Sequence, residues 1–252
     1  MKLYIILNIF LSLLEVVQNY LKIYWRNIVE VKYLVSCGCS WVEGYGTSDK
    51  KNRVSSLISS NYNLEDINLA EGGGSNQMIF RKITEWVNNN KDKVNQTLFL
   101  IGWTESTRFE YWDDLNNEYK KIDVATFENS NKDQYTKEEL KHWEFYWRNY
   151  FNEKVLLDNT NRYILSLSRI LPKFIFFNSI GDLKNLTKKY SPEFEYVYNI
   201  FLEKSWEEFC GGRYSDLVDN KKDTSLYAEN DGHPNDKGNK LFAKHIMGLI
   251  HE

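Results

Sequence analysis

Apolar residues in this chain fall into short runs that end at glycine or at polar turns, separated by stretches with helical spacing. Residues 31–37 (VKYLVSC) are β-branched and aromatic and stop at Gly38, which predicts a buried strand. Residues 65–70 (EDINLA), 97–102 (TLFLIG) and 173–179 (KFIFFNS) predict three more. Between them, residues 55–61 predict a helix end, and residues 76–88 set Met78, Ile79, Ile83, Trp86 and Val87 near helical spacing. Residues 235–251 bring Leu241, Phe242, Ile246, Leu249 and Ile250 together in a last amphipathic helix. Strands that alternate with helices and are apolar on both faces imply an α/β fold. Its sheet is expected to be mainly parallel and covered on two sides.

Two stretches stand outside that alternation. Residues 1–14 (MKLYIILNIFLSLL) are almost unbroken in apolar character, but no small-residue cleavage site follows, and Glu15, Gln18 and Asn19 interrupt the run before the length of a membrane span. An amphipathic or buried helix over residues 3–24 is preferred to a membrane-surface helix. Residues 1–30 are thus read as a helical extension upstream of a domain covering 31–252. Residues 105–172 read as a helical, aromatic-rich insertion, with Trp143, Tyr146, Trp147 and Tyr150 on one helix face. Such a stripe would suit sugar stacking, yet core packing of a subdomain is the preferred reading.

Composition narrows the function. The formal net charge is −3 with both signs mixed along the chain, so no basic face argues for nucleic acid. Three cysteines, Cys37, Cys39 and Cys210, favour free thiols in a reducing, cytoplasmic compartment over a disulfide framework. Cys37 and Cys39 offer two soft ligands where a structural zinc needs four, so no metal is expected.

Four polar segments follow strands or precede the last helix, and in an open parallel sheet the carboxyl ends of the strands line the ligand crevice. In GCSWVEG, Ser40 sits on a turn flanked by Gly38 and Gly44, which allow a sharp bend and close approach. NLAEGGGSN carries Gly72, Gly73 and Gly74 before a helix start, exposing amides that suit an oxyanion or a phosphate. Ser75 or Asn76 is placed to cap that helix. In GWTESTR, Thr104 offers a hydroxyl and Arg108 either an anion clamp or a salt bridge to Glu105 or Glu110. In DGHPN, His233 is the one histidine of four in a turn on this side of the sheet. It has the basicity to take a serine proton, with Asp231 two residues earlier to orient it.

Taken in this order, the segments resemble the blocks of the SGNH (GDSL-like) hydrolases over residues 31–250. GWTESTR after GGGSNQ is also similar to SGNH-like proteins of bacteriophages. The resemblance implies a three-layer α/β/α, flavodoxin-like fold and a serine esterase that needs no cofactor. Ser40 would be the nucleophile, His233 the base, Asp231 its partner, and Ser40, Gly73 and Thr104 the oxyanion hole. Trp41 and Arg108 would touch a small-molecule substrate, such as an acetyl ester of a carbohydrate or a lipid ester. Two positions depart from the family. Thr104 stands where the family has an asparagine, and Asp231-x-His233 is one residue shorter than the usual D-x-x-H, leaving Asn230 at the aligned acidic position. Two other expectations therefore stand beside the esterase: a non-hydrolytic SGNH-like domain that binds glycans or partners, and a flavodoxin-like domain whose Gly72 to Gly74 segment cradles an anion.

Overall fold

The structure is a computed structural model that describes residues 31–122, 136–149 and 151–251. The expected extension over residues 1–30 lies outside the described residues, as do Tyr150 and part of the insertion. Among the described residues the strands are β1 (Tyr33–Cys37), β2 (Glu65–Asn68), β3 (Thr97–Trp103), β4 (Phe109–Asp113), β5 (Glu118–Ile122) and β6 (Phe174–Asn178). The helices are α1 (Ser40–Glu43), α2 (Val54–Tyr62), α3 (Asn76–Asn89), α4 (Lys137–Asn149), α5 (Glu153–Ile170), α6 (Leu183–Tyr190), α7 (Glu195–Asn199), α8 (Trp206–Phe209), α9 (Tyr214–Asp219) and α10 (Asp236–His251).

Four strands form a wholly parallel sheet in the order β2-β1-β3-β6. Successive side chains on a strand point to opposite faces, so each apolar run feeds two cores. Leu34, Leu98, Leu100, Ile175 and Phe177 pack with Val54 and Ile58 of α2 and Phe242 and Ile246 of α10. Val35, Phe99, Ile101 and Phe176 pack on the other side with Met78, Ile79 and Ile83 of α3 and Leu157, Ile164 and Leu167 of α5. The result is a three-layer α/β/α sandwich, as the hydrophobic pattern implied. All three cysteines are buried free thiols, and burial pushes Cys37 and Cys210 up to about 12. No helix among the described residues is long and apolar enough to cross a membrane.

The insertion departs from the helical expectation. Its first part is the antiparallel hairpin β4–β5, closed by a turn in which Asp113 Oδ1 accepts from the Leu115 and Asn116 amides. Its last part, α5, is a crossover helix of the sheet itself, because it links β3 to β6 and buries Leu157, Ile164 and Leu167 in the main core. Only α4 behaves as the expected aromatic subdomain. Trp143 and Tyr146 pack on Phe109, so that part of the stripe is core.

At the carboxyl end of β3, Gly102 has no room for a side chain. A Cβ there would overlap Ser179 Oγ and stand 2.6 Å from Val42 Cγ2 and 2.8 Å from Phe177 Cζ. Gly102→Ala is therefore expected to destabilise the protein by about 1–3 kcal/mol through overpacking. The measurement is a shift of the urea midpoint, and an unchanged midpoint would refute the close packing.

Candidate active site

Ser40 opens the short helix α1 directly after β1, and it is nearly buried. The turn is tight because Val42 and Glu43 both donate backbone hydrogen bonds to the Cys39 carbonyl. At the other end of the chain, residues 228–235 fold back on themselves before α10. Ala228 N–H donates to His233 O at 2.8 Å, and Asn235 donates from its side chain to the carbonyls of Ser225 and Tyr227. This loop brings His233 Nε2 to 2.8 Å from Ser40 Oγ. On the far side of the ring, His233 Nδ1 lies 2.5 Å from Asp231 Oδ1.

The two ends are also fixed to each other beside the dyad. Asp236 accepts from the Ser48 amide at 3.0 Å and hydroxyl at 2.5 Å, and from Asn52 at 3.0 Å. The Ser48 hydroxyl bond, against some burial, holds the Asp236 carboxyl below the usual carboxylate range. Gly46 has φ +81°, and a Cβ there would stand 2.8 Å from His233 Cβ, so the chain after α1 packs directly on the histidine.

The triglycine loop lies between β2 and α3, with Ser75 as the N-cap, its hydroxyl accepting from Met78 N–H at 3.1 Å. Two of its amides have internal acceptors: Gly72 N–H donates to Glu43 Oε2 at 2.6 Å and Gly74 N–H to Glu71 O at 3.0 Å. Among the described residues nothing accepts from the Gly73 or Ser40 amides. Gly73 has φ +68°, with nothing within 4 Å of where a Cβ would be.

Thr104 is fully buried and its hydroxyl has no partner. Its backbone is gripped by Asn76, whose Oδ1 accepts from Thr104 N–H at 2.9 Å and whose Nδ2 donates to Thr104 O at 2.8 Å. Asn76 is thus a strut between the second and third segments rather than a helix cap. Nothing in the sequence marks that role, since the partners that make the strut are backbone atoms 28 residues away.

The two substrate contacts expected from sequence fare differently from the dyad. Trp41 is not on the crevice: it is 4% exposed and meets Trp206 and Tyr227 edge-on, because the inner side of α1 faces the core. Arg108 lies 3.6 Å from Glu105 with little of its side chain exposed, which is the salt bridge expected as the alternative to an anion clamp. Glu110 belongs to Arg81, which binds it through two bonds of 2.8 and 2.9 Å. Sequence reasoning missed Tyr45. This exposed ring stands 5.5 Å from the His233 ring and close to Gly72, so it forms part of the rim. Its signal was its place five residues after Ser40, between two glycines.

No protein-family model matches the chain, and no curated protein matches it. Several solved structures are similar in shape. A psychrotrophic esterase, EstA, from Pseudoalteromonas sp. superposes with a TM-score of 0.49 at 12% identity, over 87% of this chain and 97% of its own. A protein described as lipolytic and of the G-D-S-L family, from Desulfitobacterium hafniense DCB-2, gives 0.46 at 12% identity, over 86% and 99%. Axe2, an acetylxylan esterase from Geobacillus stearothermophilus, in a catalytic mutant form, gives 0.43 at 9% identity, over 87% and 94%. Likenesses this distant say nothing about chemistry, which rests on the site's own geometry.

The Asn76 strut can be tested by itself. Asn76→Ala leaves the buried Thr104 N–H and C=O without partners, at roughly 1–3 kcal/mol for each unsatisfied group. A loss of at least about 2 kcal/mol in denaturant unfolding is expected, and a neutral result would mean that the two segments are held together by other contacts.

Proposed function

We propose that this protein is an SGNH-type serine hydrolase that cleaves small esters through an acyl-enzyme. The observation that carries the reading is the continuous hydrogen-bonded line from Asp231 through His233 to Ser40, at 2.5 and 2.8 Å. In that arrangement His233 Nε2 takes the Ser40 proton as Oγ attacks the ester carbonyl carbon. The tetrahedral adduct collapses as the alkoxide leaves with that proton. Water, deprotonated by the same nitrogen, then attacks the acyl carbon and releases the acid, and Ser40 regains its hydrogen. Asp231 keeps the imidazole in the required tautomer and stabilises its cationic form.

The amides support ester chemistry over anion cradling. A phosphate site needs several convergent N–H groups, and two of the three in the triglycine loop are consumed by Glu43 and Glu71. The Gly73 and Ser40 amides are the pair left to meet a single developing oxyanion. The substrate proposed is a short-chain ester, acetyl esters of carbohydrates included, with Tyr45 on the rim beside the acyl or alcohol group.

Ser40→Ala and His233→Ala should each abolish hydrolysis of p-nitrophenyl acetate, and their effects should not add, because nucleophile and base act as one unit. Asp231→Asn should lower kcat by roughly 10²–10⁴-fold. A fluorophosphonate should label the wild type at Ser40 and not the Ser40→Ala variant. A wild type that turns over no short ester and resists the label would replace this reading with that of a binding domain.

Thr104→Asn separates a working hole from a weakened one. With two backbone amides sufficient, asparagine leaves kcat within a fewfold. With a third donor missing, it raises kcat toward the roughly 10²–10³-fold that one donor is worth. A large fall in activity with intact folding would show instead that the buried Thr104 side chain is itself required.

A further inference from the structure

The triglycine loop has no side chains to hold its central peptides, yet its polar surroundings are dense. Glu43 of α1 takes the Gly72 N–H at 2.6 Å. Lys121 of β5 donates to the Gly72 carbonyl at 2.9 Å and pairs with Glu71 Oε2 at 2.8 Å. Lys82 of α3 donates to the Leu69 carbonyl at 3.1 Å and also pairs with Glu71. Burial pushes the Glu71 carboxyl upward, but the hydrogen bonds from Lys121 and Lys82 outweigh it and hold the group below its usual value.

We propose that Lys121 is a positioning residue for the oxyanion hole, acting through the peptide that joins Gly72 to Gly73. This rests on the ester-hydrolase reading of the site. A trans peptide is planar, with its C=O and N–H pointing in opposite directions. Fixing the Gly72 oxygen from the hairpin side therefore fixes the Gly73 N–H on the opposite side, and that amide is the one the loop leaves unpaired. Glycine on both sides of this peptide leaves it unusually free to rotate, because glycine populates positive and negative φ about equally. The ammonium removes that freedom and polarises the amide, which strengthens the N–H as a donor to developing negative charge. The hairpin is itself held against α3 by the Arg81–Glu110 pair and by Arg81 over the Tyr119 ring at 3.9 Å. The insertion thereby becomes a part of the catalytic apparatus that contributes no atom to the substrate.

The test compares Lys121→Met, Lys121→Arg and Lys82→Met in the full chain. Lys121→Met should lower kcat for p-nitrophenyl acetate by about 10–100-fold, a fraction of what a whole lost donor costs, with KM within about twofold. Affinity for a boronic acid that mimics the tetrahedral adduct should fall in step with kcat. Lys121→Arg should restore most of the rate, and Lys82→Met, which touches neither atom of the Gly72–Gly73 peptide, should change kcat less than threefold. Selective ¹⁵N-glycine labelling of the 13 glycines gives a readout free of catalysis. The Gly73 amide should show one sharp signal in the wild type and exchange broadening or doubling in Lys121→Met. Unchanged kcat in an active protein, or an unperturbed Gly73 signal, overturns the proposal. If the wild type hydrolyses no ester and takes no fluorophosphonate, the hydrolase reading fails, and the Gly73 signal alone decides whether Lys121 sets this peptide.

Discussion

Three backbones meet at the carboxyl end of the sheet with no space for a Cβ between them, and the whole site depends on that contact. A Cβ on Gly38 would stand 2.8 Å from the Gly102 carbonyl oxygen, and one on Gly74 would stand 3.0 Å from the Gly38 oxygen. The Ser40 turn is thus wedged between the triglycine loop and the end of β3. Neither neighbour leaves room for a side chain at the contact. Close-packed interiors transmit such constraints, so backbone contact sets how the Ser40 turn lies against the base of the loop, while the orientation of the loop's central peptide is left to its polar neighbours. Gly46 extends the same logic to the fourth segment by letting the chain rest on His233.

That dependence explains what could be read in the sequence. The central strands announce themselves because parallel strands buried on both faces are continuous apolar runs, and each of the four ran out at or near a glycine or a polar turn. Glycines where backbones touch, a serine on the first turn and a histidine before the last helix are properties of single positions, and they survive in a lone sequence. The hairpin was missed because both of its faces carry aromatic rings: Phe109 and Tyr111 on one, Trp112 and Tyr119 on the other. The two-residue contrast that marks a half-buried strand is then absent. Helices α6 to α9 run from four to eight residues, too short for a helical period to register.

Supporting residues were invisible for a different reason. Asn76 and Lys121 act on backbone atoms 28 and 49 residues away, and a backbone carbonyl has no identity in a sequence. Trp41 was misread in the opposite sense. Being next to Ser40 in sequence placed it one step around a helix, and in α1 that step turns inward onto Trp206. Closeness along the chain and closeness to substrate are independent once a helix intervenes.

The Asp231-x-His233 spacing shows how a local backbone device can bring a carboxylate to a nearby imidazole. Asn230 adopts φ +56°, a left-handed conformation that asparagine tolerates better than most residues, and it swings the chain so that Asp231 faces back along the turn. Asp231 Oδ1 then accepts from the His233 amide at 3.2 Å as well as lying 2.5 Å from the ring Nδ1. A carboxylate bonded to the amide two residues on is a common turn-forming arrangement of aspartate. Here the turn and the orienting bond share one oxygen. The histidine's main chain fixes the carboxylate that fixes the histidine's ring, so the orientation requires no distant acid.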